Sequence, residues 1–120
     1  MLFRSAGVRM LAGTDDANPF CFPGFSLHDE LAMLVDAGLT PLEALQTATI
    51  NPAIFLNRLH LLGTAERGKL ADLVLLDANP ITDIHNTIRI YAVLVNGRFV
   101  GRQDLNRILE DVESVIKKKQ

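Results

Sequence analysis

The sequence predicts an α/β fold built from one short strand, a series of helices and a later group of strands. Three observations support this prediction. The apolar run 8–12 has the length of a buried strand, residues 26–55 contain helix start and stop signals, and residues 71–100 contain strand-like runs joined by turns. The character of the chain changes near Leu62, where turn-rich sequence follows the helices.

The first predicted strand, 8–12, is stopped by Gly13 and leads into a polar turn that contains Asp15 and Asp16. In α/β enzymes, a carboxylate just beyond the carboxyl end of a parallel strand lies where substrates and metals bind. The same pattern is also common in a plain solvated turn, with Asp15 capping a helix or loop. This stretch alone leaves both interpretations open.

The residues on either side of this strand are less regular. Residues 1–7 look like the last turns of a helix that Gly7 closes, and a helix this short needs something to pack on. Residues 17–25 hold two prolines, a glycine and three phenylalanines, which predicts an irregular loop. Such a loop either lines a pocket or lies on the core as a plain surface loop, and the sequence leaves both open.

Helix signals follow in close succession. Ser26 is predicted to cap a helix that ends at Gly38, with apolar residues at helical spacing on one face. Thr40 and Glu43 bracket a proline and form a capping box for a second helix. Pro52 is predicted to begin a third, short helix. The first half therefore predicts one terminal βα unit with additional helices, and not a domain that closes by itself.

Strands dominate the later part of the chain. The run 71–77 is apolar, residues 88–95 alternate in a strand pattern, and Asn96-Gly97 is the strongest short signal for a hairpin. Three strands are too few for a stable two-layer β domain, so we expect them to need partners. An amphipathic helix with Asp104 as its cap is predicted to follow.

Composition limits the classes of function. Of the 120 residues 48% are hydrophobic, which is enough for a core, and a formal net charge of −2 does not favour nucleic-acid binding. Cys21 is the single cysteine, so an internal disulfide is excluded and a reducing compartment fits. The sequence shows neither a signal peptide nor a membrane-spanning apolar run, so we expect a cytoplasmic protein without membrane or nucleic-acid partners.

Several short motifs occur in a fixed order and spacing over nearly the whole chain, from about residue 7 to residue 100. The motifs are Gly13-Thr14-Asp15, Leu27-His28-Asp29-Glu30-Leu31, Ala37-Gly38-Leu39-Thr40-Pro41-Leu42-Glu43-Ala44-Leu45, Ala48-Thr49-Ile50-Asn51-Pro52-Ala53, Leu62-Gly63-Thr64, the run from Gly68 to Pro80, and Val95-Asn96-Gly97. Together they resemble the C-terminal part of metal-dependent amidohydrolases, and are most similar to imidazolonepropionase-like and dipeptidase-like members. Each motif alone is weak, whereas the ordered set is highly specific.

The resemblance implies a TIM-type barrel of eight βα units and a small β-sandwich domain built from both ends of a longer chain. Residues 1–61 would be the C-terminal end of the barrel, with 8–12 as its last strand. Residues 62–101 would be the C-terminal strands of the β-sandwich, and residues 102–120 a C-terminal amphipathic helix. The fold of this chain alone is therefore expected to be incomplete.

The resemblance also implies a role for Asp15. At this position the family has an aspartate that ligates a divalent metal, with Zn2+ as the expected ion, and accepts a proton from a metal-activated water. The family's other ligands (a His-x-His pair, a lysine or carboxylate, and two further histidines) precede this segment, and the sequence contains no His-x-His. A catalytic zinc takes about three protein ligands, so we expect this segment alone to be inactive.

The implied activity of the complete enzyme is hydrolysis of C–N bonds in cyclic amide or small peptide substrates. The segment would then need the N-terminal part of the enzyme, or a second chain, to supply the missing strands and histidines. The alternative is a non-catalytic oligomerising or interaction module that derives from such an enzyme and self-associates through its unpaired strands and its last helix.

The remaining polar candidates have simpler structural explanations. Asp16 is expected to lie in the loop or to act as a cap. His28 lies one turn inside a helix, where it either faces the substrate or instead faces solvent or packs locally, and we expect the latter case. The residues expected to be structural or at the surface, without a role in the chemistry, are His60, His85, Cys21, Asp72 and Asp77.

Overall fold

The computed structural model describes residues 2–16 and 18–118 and confirms the α/β class. Met1 of the predicted first helix, Ala17 of the predicted loop and residues 119–120 at the end of the predicted last helix lie outside the described residues. In chain order the elements are α1 (Leu2–Ser5), α2 (Ser26–Asp36), α3 (Pro41–Ala48), α4 (Ile50–Phe55), β1 (Leu73–Leu76), a 3-10 helix (Ile84–Ile88), β2 (Ile90–Val95), β3 (Arg98–Gly101) and α5 (Arg102–Lys117).

The connection between α2 and α3 forms as the sequence predicts. Gly38 adopts a φ of +105°, and Gly38 and Leu39 donate their backbone N–H groups to carbonyls in the last turn of α2. The Thr40 hydroxyl accepts from the Glu43 N–H at 3.3 Å, and the Glu43 carboxylate accepts from the Thr40 N–H at 2.8 Å. The predicted glycine stop and capping box are therefore both confirmed.

The prediction that Ser26 caps α2 is wrong. Phe25 occupies the cap position without a side-chain hydrogen bond, and Ser26 is the first helical residue. The backbone turns so tightly at Phe22 that the Ser26 hydroxyl accepts from the Phe22 N–H at 2.7 Å. The hydroxyl therefore stabilises the turn that precedes the helix instead of the helix itself.

Two other helix starts also differ from the prediction. The α5 helix follows β3 directly with Gly101 at the cap position, and Asp104 lies in the first turn, 3.9 Å from the Arg107 guanidinium. The α4 helix begins at Ile50, two residues before Pro52. The missing N–H of a proline is tolerated throughout the first turn, because those N–H groups have no partner inside the helix.

The three strands form an antiparallel sheet in the order β1-β2-β3. β2 is central, and its Val93 pairs with Val74 on one side and with Val100 on the other. Asn96 and Gly97 have φ values of +49° and +78°. Positive φ at both central residues suits a two-residue hairpin turn, so the predicted hairpin is confirmed.

Two stretches that were predicted as strand have other structures. Residues 8–12 form no strand, because a strand needs a neighbour and the described residues provide none at this place. The pattern that was expected to start a strand at Ile88 instead ends a 3-10 helix, and β2 starts at Ile90. The Asp83 carboxylate caps this 3-10 helix by accepting from the His85 N–H at 3.0 Å.

The core lies between α2, α3 and the 3-10 helix. Leu31, Ala44 and Ile84 are buried and form one apolar cluster. Behind them, Ala53 of α4 is fully buried, and a Cβ placed on Gly63 would lie 2.6 Å from the Ala53 Cβ. The partly buried residues that pack around the cluster are Ala32, Leu34, Val35, Leu45 and Ala48. The 3-10 helix therefore attaches the strand region to the helices.

The sheet and α5 carry large apolar side chains that the rest of the described chain leaves exposed. Val74, Tyr91 and Phe99 are each more than half exposed. The predicted apolar stripe of α5 is present, but it is exposed as well, at Ile108, Leu109, Val112, Val115 and Ile116. The second layer of a β-sandwich and the remainder of a barrel therefore stay predictions.

Candidate functional site

The segment 8–13, which precedes the predicted site, is held by the helices. The side-chain amide of Asn51 in α4 donates to the Met10 carbonyl at 2.9 Å. The N–H of Ala12 donates to the carbonyl of Thr47 in α3 at 3.0 Å. Two backbone groups in this stretch are thus paired with helical residues, where a strand would pair with another strand.

A third contact comes from α2 and lies nearest to the predicted site. The N–H of Gly13 donates to the Glu30 Oε1 at 2.8 Å. Glu30 is half-buried, and its Oε2 is fully buried without a hydrogen-bond partner among the described residues. One oxygen of this carboxylate therefore holds the turn, while the other remains free to accept from a further donor.

Asp15 lies in the turn that follows this third contact. Its φ is +54°, a left-handed conformation that is uncommon for residues other than glycine, although Asp and Asn adopt it more readily. Its Oδ2 accepts from the Asn18 side-chain amide at 2.5 Å, and its carbonyl accepts from the same amide at 3.1 Å. Asp15 is exposed, so the turn presents its carboxylate at the surface of the chain.

Asp15 suits one position in a metal site, since carboxylate oxygens ligate hard and borderline divalent cations. The described residues, 2–16 and 18–118, contain no group of three or more His, Cys, Asp or Glu side chains that could hold a metal ion. A carboxylate is therefore a suitable ligand for the implied metal, but the described residues supply too few ligands at this place to form a complete site. The role of Asp15 as ligand stays a prediction.

The other candidates lie apart from one another in the structure. Asp16 is exposed, and Cys21 is a half-buried free thiol. His28 is half-buried, and its Nδ1 is buried without a hydrogen-bond partner among the residues that the structure describes. His60 is exposed. His85 is exposed, and its Nδ1 lies 2.9 Å from the Asp83 carboxylate. The hydrogen bonds from the His85 side chain and backbone N–H lower the pKa of Asp83.

Asp72 and Asp77 lie on either side of β1, and the side chain of each contacts a later part of the chain. The Asp72 carboxylate accepts from the N–H of Asn96 at 2.6 Å and so closes the hairpin turn. The Asp77 carboxylate lies 3.7 Å from the guanidinium of Arg102 at the start of α5. Both side chains therefore connect β1 to later elements.

A second charged contact supports the helices beside the site. The Arg4 Nε lies 2.9 Å from the Glu43 Oε1, and another Arg4 nitrogen donates to the Gly38 carbonyl at 3.1 Å. Hydrogen bonds from the Thr40 backbone and hydroxyl, and then from Arg4, lower the pKa of the Glu43 carboxyl below its ordinary value of 4.5. The ionised Glu43 thus joins α1 to the start of α3.

A cleft of about 510 Å³ lies beside segment 8–13, between the end of α1 and α4, but it does not include Asp15. It is lined by Gly7, Arg9, Leu11, Asn51, Ile54 and Phe55. The cleft holds no carboxylate, cysteine or histidine in its lining, so it does not mark the predicted chemistry.

Sequence reasoning overlooked two residues that shape the site. Neither Glu30 nor Asn51 is among the residues that the sequence predicts to form the site. Both belong to motifs that carry the family resemblance. Their membership in those motifs was the signal that could have drawn attention to them.

Comparison with known proteins decides the family. The model of the amidohydrolase family matches residues 2–100, which is most of the chain. The chain belongs to the amidohydrolase family. The match ends at Val100, two residues before α5 begins at Arg102, so the C-terminal helix lies beyond it.

Individual curated relatives are similar to part of the chain. The imidazolonepropionase of Geobacillus kaustophilus is 44% identical over 71 residues, which are 58% of this chain and 16% of that protein. The ochratoxinase of Aspergillus niger is 38% identical over 81 residues, which are 66% of this chain and 16% of that protein. The chain thus spans about a sixth of the length of these curated relatives.

Solved structures show the same likeness in three dimensions. A putative prolidase from Bifidobacterium longum superimposes with a TM-score of 0.75 at 34% identity, covering 90% of this chain and 28% of that one. A Xaa-Pro dipeptidase with bound methionine in its active site gives a TM-score of 0.72 at 33% identity, covering 83% of this chain and 25% of that one.

Among the residues that the structure describes, none of the helices combines the length and hydrophobicity that a bilayer crossing requires.

Proposed function

We propose that this chain is the C-terminal segment of a metal-dependent amidohydrolase, with Asp15 as a metal ligand and proton acceptor. The observation that carries the proposal is the placement of Asp15. Its exposed carboxylate follows a segment that three helices hold, in a chain whose family match spans residues 2–100. In the proposed barrel, segment 8–12 would be the last strand and Asp15 would lie beyond its carboxyl end, where barrel enzymes carry their catalytic residues.

Members of the amidohydrolase family generally use divalent metals, and we propose Zn2+ for this protein. When bound, such a cation supplies Lewis-acid polarisation of the substrate carbonyl and lowers the pKa of water. Asp15 would hold the cation through one carboxylate oxygen and take up a proton during the reaction. The Asn18 amide, which already donates to the Asp15 Oδ2, would orient the carboxylate.

We propose C–N bonds of cyclic amides or small peptides as the bonds that the complete enzyme hydrolyses. The proposal is supported by the similarity to an imidazolonepropionase and to a dipeptidase. Since a zinc site takes about three protein ligands, the remaining ligands and the other barrel strands would come from protein outside these 120 residues. Residues 8–12 would then be the last barrel strand, and β1–β3 the C-terminal share of a β-sandwich.

The test is a substitution of Asp15 in the assembled enzyme, meaning this chain together with the protein that carries the remaining ligands. Asp15→Asn should lower turnover of a panel of cyclic amides and dipeptides by about 100-fold or more, because a proton acceptor contributes about that much. It should also lower the zinc content of the purified enzyme. The matched control is Asp16→Asn, which removes the neighbouring charge and should leave both quantities near wild type. Wild-type turnover and zinc content in Asp15→Asn would contradict the proposal.

A second candidate function has one observation in its favour. The apolar stripe of α5, which lies beyond the family match, is exposed from Ile108 to Ile116. A non-catalytic module could use this stripe to self-associate. Analytical ultracentrifugation of the isolated chain distinguishes the two candidates. A discrete, well-folded oligomer whose mass Asp15→Ala leaves unchanged would favour the module, whereas heterogeneous association through exposed apolar surface would favour the enzyme segment.

A further inference from the structure

We propose that Glu30 is a positioning residue for Asp15, which it sets in place through the backbone N–H of Gly13. The proposal rests on the proposed function of Asp15. Glu30 would not touch the substrate or the metal. It would fix the direction in which the chain leaves segment 8–13 and thereby the place where the Asp15 carboxylate lies.

The geometry supports this role because the contact lies close to Asp15 along the chain. The Glu30 Oε1 accepts from the Gly13 N–H at 2.8 Å, two residues before Asp15. The contact crosses from α2 to the turn over 17 sequence positions, so it sets the turn relative to a rigid element. The Asn51 and Thr47 contacts act at Met10 and Ala12, farther from the carboxylate. Glu30 is therefore the last fixed point before the site.

The choice of a carboxylate at this place also needs an explanation. A hydrogen bond from a backbone N–H to an ionised carboxylate is about twice as strong as one to a neutral acceptor. The acidic residue in the first turn of α2 is Asp29, and Glu30 follows it as the fifth residue of the helix. The Glu30 Oε2 is nevertheless buried and unpartnered among the described residues, a costly arrangement for a side chain with only a packing role. Its neighbour Asp29 carries the same charge at an exposed position, so charge in the helical turn does not by itself require Glu30.

The first test uses the assembled enzyme, this chain together with the protein that carries the remaining ligands, and needs no metal. Amide hydrogen exchange, measured by NMR, reports directly on the Gly13 N–H. Glu30→Ala should accelerate exchange at Gly13 roughly 10-fold or more, since a hydrogen bond to a charged group is lost. Glu30→Gln keeps an acceptor and should retain most of the protection. Asp29→Ala, which removes the adjacent charge in the same helical turn, should leave exchange at Gly13 unchanged.

The second test measures zinc affinity and KM against kcat in the assembled enzyme. Glu30→Ala should weaken zinc binding roughly 10- to 100-fold, the usual effect of removing a residue that orients a metal ligand. Saturating zinc should restore most of the occupancy but not all of kcat, because Asp15 would still be misplaced. Glu30→Gln should bind zinc nearly as well as the wild type. Asp29→Ala should have the same zinc affinity as the wild type.

The outcomes separate this inference from the proposed function. If Asp15→Asn leaves zinc affinity unchanged, the proposed function of Asp15 fails, whatever Glu30 does. If Asp15→Asn weakens zinc binding while Glu30→Ala changes neither zinc affinity nor exchange at Gly13, the positioning role is overturned. Should Glu30→Ala fail to fold by circular dichroism, Glu30→Asp replaces it. This variant keeps the charge but shortens the side chain by one methylene, which moves the carboxylate away from the Gly13 N–H. Wild-type zinc affinity in this variant would equally overturn the inference.

Discussion

Two stretches of this chain have strand-like sequences, and only one of them forms a strand. Residues 90–95 lie between two partners: β1 pairs with positions between Ile90 and Leu94 across an irregularity in register, and β3 pairs with Ala92 to Val95. Residues 8–12 are also apolar except for Arg9, yet they pair with no strand and are held by groups on the helices. The two stretches differ in whether another strand lies beside them. The hairpin brings β3 beside β2 through a short turn, whereas the described residues bring no strand to 8–12.

The comparison shows which feature of a strand can be predicted from nearby residues. An apolar run of the right length can be read from the sequence, but its ladder depends on a second strand that the sequence around it does not specify. In this chain, side-chain and backbone groups of α2, α3 and α4 take the place of that partner at three points. A segment that is held at a few points should respond to changes in those helices, while the hairpin should not.

The largest effect is expected at Gly63, which packs against the helix that holds segment 8–13. A Cβ there would lie 2.6 Å from the Ala53 Cβ, so Gly63→Ala should displace α4. Gly68 has nearly the same φ, +90° against +93°, but its added Cβ would meet nothing within 4 Å. Urea unfolding should therefore show Gly63→Ala to be less stable than Gly68→Ala by about 1–3 kcal/mol, the usual effect of overpacking. Equal losses in the two variants would contradict the close packing of α4.

The next effect tests the hairpin by itself. Gly97→Ala places a side chain at a φ of +78° and should reduce the free energy of unfolding by about 1–2 kcal/mol. Gly97→Asn should recover much of this loss, since Asn tolerates the left-handed conformation. NMR should show changes across β2 and β3 and unchanged hydrogen exchange at Gly13. Altered exchange at Gly13 would mean that the two strand-like regions are coupled.

A smaller effect is expected from the contact that holds the middle of segment 8–13. Asn51→Ala removes the hydrogen bond to the Met10 carbonyl and should reduce the free energy of unfolding by about 0.5–1.5 kcal/mol. NMR should show shifts at the Met10 methyl group and none in the sheet. The exposed Asn106 provides the control, because its replacement by Ala should change the stability by less than about 0.5 kcal/mol. Equal stability of the two variants would show that the Asn51 contact does not hold the segment.

The smallest effect is a dependence of stability on pH. The pKa of Glu43 is below its ordinary value of 4.5 in the folded chain, so its ionised form stabilises the fold. This contribution is fully present above pH 4.5 and is lost as the pH falls through the lowered pKa. Glu43→Gln should remove that part of the pH dependence, as measured by urea unfolding at a series of acidic pH values. An unchanged pH profile would show that the Arg4 and Thr40 contacts do not act on Glu43 in solution.

Sequence reasoning succeeded where the signal lies within a few residues. The glycine stop at Gly38, the capping box at Thr40 and the hairpin at Asn96-Gly97 each depend on local backbone conformation, and all three form as predicted. It failed at Ser26 and Asp104, because whether a polar residue becomes a cap depends on how the preceding chain enters the helix.

The candidate site could be predicted only in part for a related reason. The turn of Asp15 is local, and the sequence placed it correctly after an apolar run. The contacts that hold this run join residues 17 and 41 positions apart, through Glu30 and Asn51, and no local pattern specifies such pairs. The family resemblance contained both residues in its motifs but gave no indication of what they contact.

We propose that Asp15 belongs to a metal site completed by protein outside these 120 residues. Native mass spectrometry tests this claim most directly, on the endogenous protein captured with an antibody against this segment. We predict a species several times larger than a single 120-residue chain, either one long polypeptide or a complex with a second chain, and carrying a divalent metal. A metal-free species made only of 120-residue chains, alone or self-associated, would contradict it and favour the non-catalytic module.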